Sequence, residues 1–555
     1  MAKLYFVVGS QDLYGDECLK QVAADAARMT EFFNKKLQGV KVELLPTVVN
    51  SETCIEDMRK VSTDDDCIGV MTWMHTFSPA KMWIKGLQEL RKPLIHLHTQ
   101  ANEKLPYDEI DMDFMNLNQA AHGDREYGFI LARLRIPHQV VAGYYEHQDV
   151  IDRISRFVDV ARAINFSRHL KVASFGNNMR EVAVTDGDRV ESQIRYGWEC
   201  NYFALGDLVE EINAVSEAEV DTKMNEYTSK YTMKTTNIAA VREQARYEVG
   251  LEKFLSARKL GAFADTFQDL HGLKQLPGIA AQNLMGKGIG FGPEGDYKIS
   301  ALSAVLMNMA EGRKGATGFI EDYTYDLTEG KELELASHML EVPVTFAATK
   351  PEIDVLPLGI GGKADPARLI FDGVEGDGIQ VTLVDMGTHF RIICADIELV
   401  KQPKPMPKLP VARIMYRHKP NFRIGTAGWC YAGGAHHSVV STALTREDIA
   451  LFAKLTGTEL ICIGEDTTEA DLEKMATQYY KSFLVLSLYC FACSPWLTSA
   501  GFFFSKNLPQ SDTLQKYFLE INSSVRKLSD VIHKYLCFLT NFPLNFNFDN
   551  GCMFY

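Results

Sequence analysis

Carboxylates and imidazoles stand at four places in the second half of the sequence, each beside a turn or within an apolar run. These residues are Glu294 and Asp296 in GPEGDYKISAL (292–302), Glu321 in GFIEDYTYDL (318–327), His338 in ELELASHMLEV (332–342), and His436 with His437 in AGGAHHSVVS (432–441). Such mixed oxygen and nitrogen ligands suit Mn²⁺, and also Co²⁺ or Mg²⁺, better than a structural zinc site. Carboxylates beside a metal can also act as general acid and base. These residue types therefore predict a catalytic divalent-metal site, provided that the fold brings them together.

Each of these stretches also has a purely structural explanation. Glu294 and Asp296 precede an apolar helical run, where acids stabilise the helix dipole. His338 interrupts an apolar strand, and a lone histidine there is more often a hydrogen-bonded core residue than a ligand. If His436 and His437 lie on a strand, they face opposite ways, and one metal can take only one of them easily.

The stretch 318–327 has the composition of a strand. Alternation would place its side chains in two sets, with Glu321, Tyr323 and Tyr325 on one face and Asp322 and Thr324 on the other. An exposed strand with charged edge residues explains the same pattern without any chemistry.

The first third of the chain contains the elements that would support such a site. Strand-like and helix-like runs alternate in it; they are strands 4–10, 41–49, 67–75 and 92–98 and helices 18–37, 52–61 and 78–90. Such alternation predicts βαβ units on a parallel sheet, with ligand contacts at the carboxyl ends of its strands. Gln11 in GSQDLYG follows the first strand and suits hydroxyl groups of a ligand, although a plain βα turn also explains it. His122, in the amide-rich stretch 112–129, suits a polyol or a subunit contact.

A second α/β unit is predicted from HLKVASFGNN (169–178), with a strand at 198–206 and a helix at 242–260. From about residue 311 strand-like runs separated by turns predict a mainly antiparallel β-domain, which ends with a helix capped by Thr445 and a strand at 459–466. The fold class is therefore α/β, with two Rossmann-like, doubly wound domains and a C-terminal β-domain. We predict domains at 1–168, 169–310 and 311–480.

The tail 481–555 differs in character from the rest of the chain. Its uncharged segment 482–505 is long enough to span a bilayer, but Pro495 and several polar residues interrupt it. We expect the tail to be poorly ordered and unrelated to the fold, and we expect no membrane partner.

Composition excludes several classes of function. The 555 residues carry a net charge of −14, which argues against nucleic acid as a partner. The start of the chain reads as a strand rather than a signal peptide, and the eleven cysteines show no metal-type Cys/His spacing. A reducing cytoplasm is the expected location.

A series of motifs, in order, resembles the L-arabinose isomerase family over about residues 4–480. The motifs include GSQDLYG, WMHTFSPAKMWIKGL, FGNNMREVAVTDGDRV, FQDLHGLKQLPG, EGDYK, EDYTY, SHMLEV, LGIGGKADPARLIF and AGGAHH. Asp12 stands where the family usually has histidine. The resemblance implies a cytoplasmic homohexamer that acts on a small aldopentose, interconverting L-arabinose and L-ribulose.

The resemblance also implies the roles of individual residues. The Mn²⁺ ligands would be Glu294, Glu321, His338 and His437, with both glutamates also catalytic. Gln11, His122 and His436 would contact substrate or support the site. A cis-enediol route and a direct hydride shift both remain open. The alternatives are an isomerase with D-galactose or L-fucose preference, and, in another class, a sugar-binding protein without catalysis, which the intact ligand positions disfavour.

Overall fold

The computed structural model describes residues 1–359 and 362–476. Contacts divide the chain into a unit Met1–Glu469, described below, and a second unit Ala470–Tyr555, of which only 470–476 are described. The predicted tail 481–555, with its apolar segment 482–505, lies outside the described residues. No helix within the described ranges is long and apolar enough to cross a membrane.

The first α/β region is a parallel five-stranded sheet in the order β2-β1-β3-β4-β5. Its elements are β1 (Lys3–Gly9), α1 (Gly15–Lys36), β2 (Lys41–Leu44), α2 (Ser51–Thr63), β3 (Cys67–Met74), α3 (Ile84–Glu89), β4 (Leu94–His98), α4 (Met112–Leu117), α5 (Ala120–Arg133), β5 (His138–Ala142) and α6 (Gln148–Ser167). Every residue of β3 is buried, as expected for a parallel strand covered on both faces.

Two elements of this region are shorter than predicted. The strand predicted at 41–49 ends at Leu44, two residues before Pro46, which has no N–H to donate to a sheet. The helix predicted at 78–90 is a tight turn at Ala80–Trp83 followed by α3.

The second region is a parallel four-stranded sheet in the order β10-β9-β6-β7. Its elements are β6 (Lys171–Phe175), α7 (Arg189–Tyr196), β7 (Glu199–Phe203), α8 (Leu205–Asn213), α9 (Glu217–Lys230), β8 (Thr232–Met233), α10 (Ile238–Ala257), β9 (Ala262–Asp265), α11 (Gly278–Gly286), β10 (Gly290–Gly292) and α12 (Tyr297–Met309). The strand predicted at 198–206 is thus β7, and the helix predicted at 242–260 is α10, which begins four residues earlier. Helix α12 packs against β9 and β10 of its own region, against α6 of the first region and against the strand that follows it.

The third region is mainly antiparallel. Its elements are β11 (Thr317–Asp326), β12 (Leu333–Ser337), β13 (Glu352–Val355), β14 (Ala367–Ile370), β15 (Gly376–Asp385), β16 (Phe390–Val400), β17 (Ile414–His418), α13 (Phe422–Ala432), β18 (His437–Ser441), α14 (Arg446–Thr456) and β19 (Glu459–Ile463). Strands β15-β18-β11-β12-β17-β16 close into a ring because β16 also pairs with β15, and β19 adds in parallel to β16. Strands β13 and β14 form a small sheet with β8. The predicted fold class, two parallel α/β sheets followed by a mainly antiparallel β-domain, is confirmed.

A bulge in β11 changes the predicted side-chain pattern. Asp322 pairs with Ala336, and Thr324 pairs with the adjacent residue of β12, Leu335. Tyr323 therefore has no pairing partner on β12. Each residue beyond the bulge therefore changes face. The expectation that Tyr325 shares a face with Glu321 is wrong: Tyr325 lies on the face of Asp322.

Candidate functional site

Glu294 and Asp296 lie in the short turn between β10 and α12, but only Asp296 caps the helix. Asp296 caps α12 by accepting hydrogen bonds from the backbone N–H groups of Lys298 and Ile299, both at 3.2 Å. Glu294 has a left-handed backbone, with φ of 57°, and makes no cap. The capping explanation therefore accounts for Asp296 and leaves the carboxylate of Glu294 available for chemistry.

Both imidazoles of the AGGAHH motif approach Glu294. The Nε2 atoms of His436 and His437 lie 3.5 and 3.8 Å from Glu294 Oε2. The prediction that the two rings face opposite ways is wrong, because the strand begins only at His437 and His436 still belongs to the preceding glycine turn. His437 is fully buried, whereas His436 is partly exposed.

Glu321 and His338 form the other side of the cluster. Glu321 lies on β11 directly before the bulge, and its Oε2 is 3.6 Å from His338 Nε2, while its Oε1 is 3.9 Å from His436 Nε2. The prediction that His338 lies within a strand is wrong, because β12 ends at Ser337 and His338 follows it. Leaving the strand allows its ring to approach β11 and to contact the ring of Phe319.

Each of the two buried histidines has a carboxylate on Nδ1. His437 Nδ1 is 3.2 Å from Asp296 Oδ2, and His338 Nδ1 is hydrogen-bonded to Glu341 Oε2. Such a carboxylate fixes the ring and leaves Nε2 free to bind a metal. Glu294 Oε2 and His437 Nε2 are buried and have no hydrogen-bond partner among the described residues. The ligand atoms of Glu294, His436 and His437 lie within 4.8 Å of one another, and Glu321 and His338 adjoin them. The unpaired atoms and the donor set fit a divalent ion, for which the ligand set Glu294, Glu321, His338 and His437 stays a prediction.

The electrostatics of the cluster follow from the same neighbours. Burial alone would raise the pKa of Glu294, but the imidazoles of His436 and His437 offset it and hold that pKa below its usual value. Burial alone would lower the pKa of His338, but Glu341 and Glu321 raise it to about 9. The neighbouring carboxylates thus create a strongly negative environment, which favours a bound cation.

A cavity of about 200 Å³ opens beside the cluster. Its polar lining residues are Asp265, Glu294, Glu321, Tyr323, His338 and Glu341. The remaining walls are apolar, formed by residues such as Met179, Phe267, Leu276 and Leu358. The cavity can therefore hold a small polyhydroxylated molecule with one end against the carboxylate–imidazole cluster.

Sequence reasoning missed two of these residues, Asp265 and Glu341. Glu341 stands three residues after His338 in the same motif, which was a usable signal. Asp265 ends β9, at the carboxyl edge of the second parallel sheet, where ligand contacts are expected. Burial, and then the nearby charge of Glu341, raises the pKa of Asp265 to about 8.

Gln11 and His122 lie elsewhere, on the first α/β region. Gln11 donates a hydrogen bond to the Phe77 carbonyl, and His122 on α5 stacks on the Phe77 ring with centroids 4.2 Å apart. Neither lines the cavity within the described part of this chain. Their ligand roles stay a prediction that requires a second subunit.

A second group of candidate metal ligands lies at the end of β4. It consists of His96, His98 and Asp124. Here each carboxylate oxygen of Asp124 is already hydrogen-bonded to a histidine, at 2.8 Å to His96 Nε2 and 2.7 Å to His98 Nδ1. The Asp124 oxygens therefore hold the two rings directly, with no gap for an ion.

Three successive stretches of the chain match the domains of a known protein family. Residues 1–169, 171–312 and 316–459 match the family descriptions "L-arabinose isomerase N-terminal domain", "central domain" and "C-terminal domain". The chain is 50% identical over 468 residues to a protein of Oceanobacillus iheyensis named L-arabinose isomerase, covering 83% of this chain and 98% of that one. It is also 50% identical over 477 residues to a Geobacillus kaustophilus protein of the same name, covering 84% and 95%.

Proposed function

Because this chain belongs to the L-arabinose isomerase family, we propose that it interconverts L-arabinose and L-ribulose, the first step of L-arabinose catabolism. The observation that carries the proposal is the convergence of Glu294, Glu321, His338 and His437 beside a cavity of about 200 Å³. A pair of carboxylates beside a bound cation supplies both a base and charge stabilisation for an aldose–ketose isomerisation.

The chemistry moves one hydrogen between C2 and C1 of the open-chain sugar. Glu294 and Glu321 are separate carboxylates on the cavity wall, one from the turn after β10 and one from β11. One accepts the C2 proton while O1 gains a proton, which gives a cis-enediol. A proton is then returned at C1 while O2 loses its proton, which gives the ketose. Glu294, Glu321, His338 and His437 would hold a divalent ion, whose positive charge would lower the cost of negative charge on the sugar oxygens.

Substitution of either glutamate tests these roles. Glu294→Gln and Glu321→Gln keep size and shape but remove the base, so turnover should fall by 10²-fold or more, in line with the usual contribution of general acid–base catalysis. Sugar binding, measured by calorimetry with a pentitol that cannot react, should persist. Full activity in either variant would remove that residue from the mechanism.

Reaction in D₂O distinguishes the two routes for the hydrogen. Proton transfer through an enediol exchanges with solvent, so L-ribulose formed in D₂O should carry deuterium at C1, detectable by NMR. A hydride shift would leave C1 free of deuterium, and the glutamates would then lose their role as bases.

A panel of aldoses tests the substrate. L-Arabinose, D-galactose and L-fucose are each incubated with the protein in Mn²⁺ and in EDTA, and ketose is measured. We expect the highest kcat/KM for L-arabinose and no ketose in EDTA. A higher value for another sugar would assign the chain to that specificity instead, and no ketose from any sugar would favour a binding protein.

The remaining assignments rest on family membership. We propose Mn²⁺ as the ion, with Co²⁺ or Mg²⁺ as substitutes, a cytoplasmic location, domain boundaries at 168, 310 and 480, and a homohexamer. A neighbouring subunit would then bring Gln11 and His122 to the cavity, and His436 would contact the sugar. Leu13 lies close to Gln11 in the sequence, and Met112 lies ten residues before His122. Their apolar side chains are 82% and 65% exposed, which supports a subunit contact there. Light scattering gives the subunit number, and Leu13→Glu should lower it.

A further inference from the structure

Asp265 stands apart from the other polar groups that line the cavity. It ends β9, is only 7% exposed and lines the cavity, and its carboxyl makes no hydrogen bond to another group within residues 1–359 and 362–476. A polar group this deeply buried is costly without a partner and calls for an explanation, and a bound ligand supplies one.

The other polar groups in the cavity are already committed. Glu294 faces His436 and His437, Glu321 faces His338, and Glu341 is hydrogen-bonded to His338. Burial, and then the charge of Glu321, raises the pKa of Tyr323, whose hydroxyl is hydrogen-bonded to Glu321. The rest of the lining is apolar.

An aldopentose brings more oxygens than this cluster can use. The isomerisation engages the oxygens on C1 and C2, and the hydroxyls on C3, C4 and C5 must still find partners when they leave water. Asp265 is the uncommitted polar side chain among the described lining residues, and a carboxyl can accept or donate a hydrogen bond to a hydroxyl.

We propose that Asp265 binds one hydroxyl of the C3–C5 half of the open-chain sugar and so fixes the position of C1 and C2 against the two glutamates. This assignment rests on the proposed function. Asp265 is thereby a substrate-binding residue that takes no part in proton transfer or in metal binding.

The test compares Asp265→Ala and Asp265→Asn with the unsubstituted, Mn²⁺-loaded full chain. Losing one hydrogen bond should lower kcat/KM for L-arabinose by about 2- to 13-fold in Asp265→Ala, and Asp265→Asn should keep most of it because an amide also donates and accepts. Mn²⁺ affinity, measured by titration calorimetry, should be unchanged in both variants.

Deoxy sugars identify the hydroxyl. The 3-, 4- and 5-deoxy analogues of L-arabinose are compared in the unsubstituted protein and in Asp265→Ala. For one analogue the two proteins should give the same kcat/KM, because the contact is already missing, while the other two should retain the difference. Equal differences for all three analogues, or unaltered kcat/KM for L-arabinose in Asp265→Ala, would overturn the assignment.

The outcomes separate this proposal from the function itself. If the proposed function is wrong, the unsubstituted protein forms no L-ribulose. If only the role of Asp265 is wrong, the unsubstituted protein is active and Asp265→Ala matches it. A weakened Mn²⁺ affinity in Asp265→Ala would instead make the residue part of the metal site, which also contradicts the proposal.

Discussion

Replacing Asp296 by Asn should weaken metal binding while leaving the helix cap in place. The present carboxylate accepts a hydrogen bond from His437 Nδ1–H, which leaves a lone pair on Nε2 directed towards Glu294. An amide nitrogen at that position is a donor, so it favours the tautomer with the proton on Nε2, which cannot bind a metal. Asn caps helices about as well as Asp, so α12 should still start at the same residue.

The size of the effect follows from the kind of contact that is lost. Removing the carboxylate behind a metal-binding histidine typically costs 10- to 100-fold in metal affinity, or about 1.4 to 2.7 kcal/mol. Mn²⁺ titration calorimetry at fixed pH measures it directly. Lys298 also loses an ion pair with Asp296, at 3.2 Å, but its ammonium keeps the carbonyls of Val184, Thr185 and Asp186 as acceptors.

A matched control comes from a second buried capping aspartate. Asp448 accepts hydrogen bonds from Thr445 at the start of α14 and pairs with Arg313, and it does not line the cavity. Asp448→Asn should lower the thermal midpoint without altering Mn²⁺ affinity. An Asp296→Asn protein with unaltered Mn²⁺ affinity, or an equal loss of affinity in both variants, would refute the reasoning about the His437 tautomer.

Two further predictions concern stability away from the site. Burial raises the pKa of Asp57 from 3.8 to about 6. Between these two pH values the folded state binds the proton more tightly than the unfolded state, so the free energy of unfolding falls as pH rises. Asp57→Asn should therefore add up to about 3 kcal/mol of unfolding free energy at about pH 7 and little at about pH 4. Urea unfolding across this range measures the difference, and the same gain at every pH would contradict it. A Cβ on Gly86 would lie 2.4 Å from Cys54 Sγ and 2.7 Å from the Cys54 carbonyl, so Gly86→Ala should cost roughly 1–3 kcal/mol by urea unfolding. Gly206→Ala on α8, with open space at its Cβ, should cost nothing, and equal losses would show that crowding is not the cause.

The residue types and motifs predicted which side chains lie close together, but not the backbone conformation that orients each of them. Glu294, Glu321, His338 and His437 converge as the family resemblance implied. Strand alternation misplaced His436, because the point at which a strand begins depends on the pairing of β18 with β11 rather than on the local sequence. The local sequence of β11 does not reveal its bulge either, because a bulge is defined by the pairing of a strand with its partner.

Burial was the other property that local sequence could not supply. Asp265 follows an ordinary apolar strand, and only the packing of the second sheet against the third region makes its carboxyl part of the cavity wall. Glu341 is similar, because its role depends on the turn after β12 that brings it to His338. The alternating pattern of the first third, by contrast, predicted a parallel sheet correctly, since burial on both faces is encoded in continuous apolar runs such as β3.

The most direct test of the central claim is to titrate Mn²⁺ into EDTA-treated protein while measuring bound ion and L-ribulose formation in the same samples. We expect one ion per chain, no turnover of L-arabinose before it binds, and activity that rises in proportion to the occupied fraction. Undiminished L-ribulose formation by metal-free protein, or an ion that binds without restoring activity, would contradict it.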